Sequence, residues 1–170
     1  MDSFRAFVEN GALGTFIRET PSVFVYPAII TLHTLGMGFL AGGSIAIALR
    51  ILGFAPGLAL APMARFFPVL WLALAVNAVS GILLLIAYPT KAITNPLFYV
   101  KLALIAVAVV VLRRIKIRIV DDPEVDQAPL DREHRTLAVI SIASWLAAIA
   151  AGRLLAYTYR WELLGIPAIM

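Results

Sequence analysis

Three residues inside long apolar stretches can do chemistry: His33, Lys101 and Arg153. His33 lies seven residues past Tyr26, Lys101 five past Pro96, and Arg153 six before Tyr159. If the stretches are helices that cross a bilayer in alternating directions, a rise of ~1.5 Å per residue puts all three roughly 8–10 Å below one interface. An imidazole at that depth is a natural axial ligand for haem iron. The two cations raise a different question. Each costs on the order of 2.5–3.5 kcal/mol at mid-span on insertion scales, and an anion must offset that cost. The chain supplies none: its ten carboxylates, Asp2, Glu9, Glu19, Asp121, Asp122, Glu124, Asp126, Asp131, Glu133 and Glu162, all lie in the tails or in one polar loop. Haem propionates would supply the charge. The expected site is a haem b with His33 as ligand to the haem iron and Lys101 and Arg153 holding its propionates.

Each residue also has an ordinary role. Lys and Arg near an interface can snorkel to lipid phosphate or water. His33 can simply hydrogen-bond a neighbouring backbone carbonyl or Asn77. A second axial ligand is hard to find. His134, the other histidine, belongs to the opposite face, and Met37 is one turn from His33 on the same side of its helix. An uncharged Lys101 could ligate, but that role excludes binding a propionate. Asn77, Ser80, Gly81, Ser141 and Ser144 read as interhelical hydrogen-bonding and packing positions. Gly38 and Gly42 form a GxxxG pair, and Gly36, Gly43 and Ser44 extend a small-residue surface suited to close helix packing. No phosphate-binding glycine loop, Ser-His-Asp set, HExxH or pair of intramembrane carboxylates is present.

The elements that must position these residues are apolar helices. Mean hydropathy is +0.94, and 62% of the residues are hydrophobic against 14% charged, outside the range of water-soluble domains. No charge interrupts the run between Glu19 and Arg50, nor that from Phe66 to Thr90, and each exceeds the ~20 residues that span hydrocarbon. A third span begins at Pro96, whose missing N–H is harmless in a first turn, and ends in RRIKIR. The acidic, proline-containing segment DDPEVDQAPLDRE follows, and Asp131 can cap a fourth span. The expected fold is an all-α integral membrane four-helix bundle forming a single transmembrane domain over 1–170, with spans at about 22–50, 67–88, 96–118 and 133–158. An interfacial amphipathic helix over 3–18 precedes them, with Gly11 and Gly14 as points where it could break in two.

Orientation follows from charge. Arg5, Arg18, Lys91 and Arg160 fall on the side of the termini, against Arg50, Arg65, Arg113, Arg114, Lys116, Arg118, Arg132 and Arg135 on the other. Four against eight places both termini outward, on the periplasmic side of a bacterial inner membrane. Tyr26, Tyr88, Tyr99, Tyr157, Tyr159 and Trp161 form an aromatic belt at that outer face. The start MDSFRAFVEN lacks a basic n-region and an early apolar core, so the first span is expected to stay in the mature protein. With zero cysteines, thiolate metal sites and covalent haem attachment are excluded. The net charge of +4 sits beside apolar runs, where lipid and topology account for it, so nucleic acid is not an expected partner.

The segments YPAIITLHTLGMGFLAGG, LRILG, SGILLLIAYP, NPLFYVKLALIAV and AGRLLAY resemble a family of short, uncharacterised bacterial membrane proteins with four predicted helices. More distantly, a histidine in the first long helix followed by a lysine in the third resembles HemJ-type protoporphyrinogen oxidases and, in architecture, CopD-like membrane proteins. That resemblance implies haem b in the membrane, with His33 and Lys101 as the matching residues. The nearer family often carries another histidine late in the third span, where this chain has Leu112 and Arg113. The function expected is a cytochrome b-like membrane protein in electron transfer near the outer leaflet. One variant is an oxidoreductase passing electrons from an organic substrate to quinone or to a redox partner protein. The competing class is a structural or accessory subunit, a homo-oligomer or part of a larger membrane complex, that binds lipid at Lys101 and Arg153 and no haem.

Overall fold

The computed structural model describes residues 11–19, 24–122, 125–126 and 130–158, and among them there are helices but no strand. In chain order the helices are α1 (Ala12–Glu19), α2 (Val25–Ile51), α3 (Phe67–Ala87) with a 3-10 lead-in at Ala61–Phe66, α4 (Pro89–Ile93), α5 (Pro96–Ile115), a π-helical turn at Lys116–Val120, and α6 (Arg132–Tyr157). Four helical segments, of 27, 27, 25 and 24 residues, are long and apolar enough to cross a membrane. The chain is a multi-pass all-α membrane protein.

The helix boundaries follow local chemistry. Pro27, Pro68 and Pro96 lie in first turns, where backbone N–H groups have no intrahelical partner to lose. Asn95 caps α5 by accepting a hydrogen bond from the Leu97 N–H at 3.0 Å. Asp131 caps α6 by accepting from the His134 N–H at 2.8 Å, while its own N–H donates to His134 Nδ1 at 3.3 Å, closing a reciprocal box. After α2 the chain reverses at Gly53, whose φ of 99° lies in the left-handed region. The Arg50 guanidinium folds back over this link and donates to the carbonyls of Leu58 and Pro56.

α5 ends as an α-helix at Ile115, and the π-helical turn carries the chain on to Val120. Of the interfacial helix, α1 covers the second half with Gly14 inside it unbroken, and residues 3–10 lie outside those described. So do Tyr159 and Trp161 of the outer belt and the cation Arg160. Tyr26 and Tyr88 meet edge to face at 5.7 Å, tying α2 to the end of α3.

α2 packs on α3 and α6, α5 packs on α6, and α1 rests against α3 and α2. The bundle is thus two antiparallel hairpins, α2–α3 and α5–α6, joined along α2 and α6. One end, here the terminal end, carries the start of α2, the α3–α5 turn and the end of α6. The other, the basic end, carries the α2–α3 link and the Arg/Lys-rich close of α5. Large buried side chains gather toward the basic end: Leu40, Ile47 and Ile51 of α2, Phe67 and Leu70 of α3, Leu112 and Ile115 of α5, and Trp145 of α6. The outward faces carry Leu32, Phe39, Leu72, Ile82, Val107 and Leu146 in the open, as lipid-facing surfaces do.

The close approach of α2 to α3 is made by Gly36 and Gly43. A Cβ on Gly36 would lie 3.1 Å from the Ala73 carbonyl oxygen and from the Asn77 nitrogen, and the Leu70 side chain fills the space beside Gly43. Gly38 and Gly42, the GxxxG pair, have nothing within 4 Å of a Cβ position and face out of the bundle.

Candidate functional site

Eight residues into α2, His33 turns toward α3. Its Nδ1 lies 3.1 Å from the Asn77 carbonyl oxygen and 3.1 Å from Ser80 Oγ. The Ser80 hydroxyl is committed as a donor to the Val76 carbonyl at 2.6 Å, so both neighbours of Nδ1 present acceptors. The proton therefore sits on Nδ1, and Nε2 carries the lone pair. Asn77 closes the arrangement from the other side, its Nδ2 donating to the His33 carbonyl at 2.8 Å. Asn77 and Ser80 are both buried, so these polar groups satisfy one another where water is absent.

Nε2 points across the seam to α5, where Lys101 Nζ lies at 3.4 Å and donates toward it. The lysine stem runs over Gly152 of α6, where a Cβ would sit 3.6 Å from Lys101 Cε and 3.7 Å from Nζ. On the histidine side, a Cβ at Gly81 would meet His33 Cε1 at 3.2 Å. Four helices thus contribute to one polar centre: His33 from α2, Asn77, Ser80 and Gly81 from α3, Lys101 from α5 and Gly152 from α6. His33 and Lys101 are each half-buried.

Arg153 does not join them. It is exposed, on the face of α6 that turns away from Gly152, and no carboxylate of the described residues pairs with it. Adjacent helical residues diverge by about 100°, so with Gly152 facing Lys101, Arg153 must face elsewhere. Of the three residues singled out by depth, two meet and the third faces out of the bundle. Gly152 carried no sequence signal beyond its place beside Arg153, whereas Asn77 and Ser80 were visible as polar residues in an apolar span.

The centre lies where few side chains of the bundle are buried. On α2 no residue before Gly36 is buried, and on α5 none before Ala108. The buried residues of α3 and α6 nearest this end are small or polar: Asn77, Ser80, Ala87, Ala148 and Ala151. Among the described residues, no group of three His, Cys, Asp or Glu gathers as a metal-binding cluster. A haem would need only one or two protein nitrogens. The residues present fit that role. The imidazole has its tautomer fixed by a backbone carbonyl, the usual outer support of a metal-ligating histidine, and its Nε2 lone pair, which here accepts from Lys101, is the nitrogen that would bind a metal. His33 Nε2 and Lys101 Nζ, 3.4 Å apart, are the nitrogens that would hold such a group. Glycine at 81 and 152 leaves the flanks of the pair without side chains.

Compared with family models, characterised proteins and solved structures, the chain matches none.

Proposed function

We propose that this chain is a membrane b-type haem protein that carries electrons near the outer leaflet, with His33 Nε2 as the axial ligand. The observation that supports the reading is the Nδ1 hydrogen bond to the Asn77 carbonyl, which keeps the proton on Nδ1 and leaves Nε2 as the ring's acceptor nitrogen inside a membrane-spanning helix. A bound haem would supply a one-electron couple. The protein's own part is to hold the ring and keep the proton on Nδ1 through the carbonyl contact. Lys101, in direct contact with Nε2, would be the second residue to hold the group. Arg153, outside the centre, is left to meet a propionate or a lipid phosphate at the surface.

The charge asymmetry behind the expectation of outward termini supports a centre in the periplasmic half of a bacterial inner membrane, where quinone or a redox partner protein would be its electron partner. The family resemblance adds an oxidoreductase as one form of that chemistry. A second reading, an accessory subunit or homo-oligomer binding lipid and no haem, is favoured by the outward-facing Gly38 and Gly42, which leave α2 open to close approach by another helix.

The visible spectrum of detergent-solubilised protein, expressed with haem supplied and recorded before and after dithionite, decides between the two. The haem reading expects a Soret band that shifts on reduction and is lost in His33→Ala. A colourless protein overturns it in favour of the accessory subunit.

A further inference from the structure

The basic end holds a charged recess that the haem reading does not use. It is a shallow opening of about 310 Å³ on the outer face of α5 and the π-helical turn, lined by Val110, Arg113, Arg114, Ile117 and Arg118. The neighbouring cations are already neutralised. Lys116, on the inward side, pairs with Asp121 at 2.6 Å and lies over the Phe67 ring at 5.7 Å, and Arg118 pairs with Glu133 across to α6. Arg113 and Arg114 are exposed, and no carboxylate of the described residues pairs with either.

Depth sharpens the point. Arg113 is seventeen residues past Pro96, about 26 Å along the helix, which brings its guanidinium to the far edge of a hydrocarbon core of roughly 30 Å. Val110, one turn below, and Ile117, one turn above, are both more than half exposed beside the guanidinium groups. The recess therefore straddles the boundary between oil and water. A free anion would satisfy the guanidinium groups and leave Val110 uncovered, whereas an amphiphile with a phosphate head and an acyl chain covers both.

We infer that Arg113 and Arg114 form a binding site for the phosphate group of an anionic membrane lipid, whose acyl chain lies along Val110. The site is independent of the haem centre, which lies toward the other end of the bundle. Arginine is the suitable residue, since its planar fork meets phosphate oxygens in pairs where lysine offers a point charge.

The test is thermal unfolding of the full chain in nanodiscs of phosphatidylcholine alone or with phosphatidylglycerol added, read beside binding of the detergent-solubilised protein to phosphatidylglycerol. Phosphatidylglycerol is expected to raise Tm, and Arg113→Gln/Arg114→Gln to weaken its binding roughly thirtyfold, on the usual contribution of two basic residues near a lipid surface. Arg132→Gln/Arg135→Gln, two exposed cations at the same end, should leave binding within a few-fold of the parent. Three results overturn the proposal: equal Tm in neutral and anionic discs, equal losses in the two double variants, or the same Tm rise from inorganic phosphate added to neutral discs, which would point to a soluble anion.

Discussion

The two halves of this bundle are built on different principles. Toward the basic end the interior is filled by Leu40, Ile47, Phe67, Leu112, Ile115 and Trp145, and charged groups pair at the edge, Lys116 with Asp121 and Arg118 with Glu133. Toward the terminal end the buried positions are glycine, alanine, asparagine and serine, and a histidine meets a lysine with no acid of the described residues paired to either. Packing of large side chains supplies stability because a filled interior gains dispersion contacts along its whole length, even where lipid removes the advantage of escaping water. A site for chemistry needs the opposite: space, polar groups with fixed orientation, and small residues that let them approach. The chain separates the two requirements by depth.

That contrast can be broken first at Trp145, which is fully buried. Trp145→Ala should cost about 3–5 kcal/mol of unfolding free energy by opening a cavity in the tight half, measured by denaturant titration in micelles. Trp145→Phe should cost far less than Trp145→Ala, because the indole N–H has no hydrogen-bond partner among the described residues and its removal strands nothing. A large loss with Phe would show that the indole nitrogen matters in a way that packing alone does not explain.

The glycines of α2 sharpen the comparison within a single helix. Gly36→Ala forces a methyl against the Ala73 carbonyl and the Asn77 nitrogen and should destabilise by about 1–3 kcal/mol. Gly42→Ala meets nothing and should be neutral to the isolated chain, or slightly stabilising through helix propensity. Melting temperatures of the two variants in one detergent are a direct check, and reversed signs would mean that GxxxG, not Gly36, sets the α2–α3 distance.

In the loose half, His33→Ala removes hydrogen bonds that are typically about 0.6 kcal/mol each in membranes, so its Tm should move little while the spectrum of a haem-loaded protein changes completely. A large loss of stability in protein without haem would instead make the imidazole a structural element. The smallest effect concerns Asp126, which joins the two loops of the basic end by accepting from the N–H groups of Leu60 and Ala61 at 2.7 and 3.1 Å. These backbone donors, with Arg50 adding to them, hold its carboxyl below the ordinary carboxylate range. A depressed folded-state value adds stability at pH above about 4, the unfolded value, and loses it as pH falls through the folded one. Acid melts of the parent and Asp126→Asn should therefore converge below about pH 4 and differ modestly above it.

The four spans, their order and the polar loop were legible in the sequence because apolar runs of more than ~20 residues have one stable fate in a bilayer, with every backbone group bonded inside a helix. The pairing of His33 with Lys101 was legible only as equal depth. Depth fixes one coordinate, and Arg153 shares it while facing outward. Which side chains at that level meet is set by the rotation of each helix about its axis. In this chain that rotation is decided by contacts between helices far apart in sequence: Gly36 against Ala73 and Asn77, Gly152 against Lys101, and Gly81 against His33. One-dimensional spacing carries height and span, and only tertiary packing carries azimuth. The sequence by itself therefore determined a four-span membrane bundle with basic charge in excess at one end, while the fold decided that an imidazole with a fixed proton would face an amine and that a guanidinium at the same height would not.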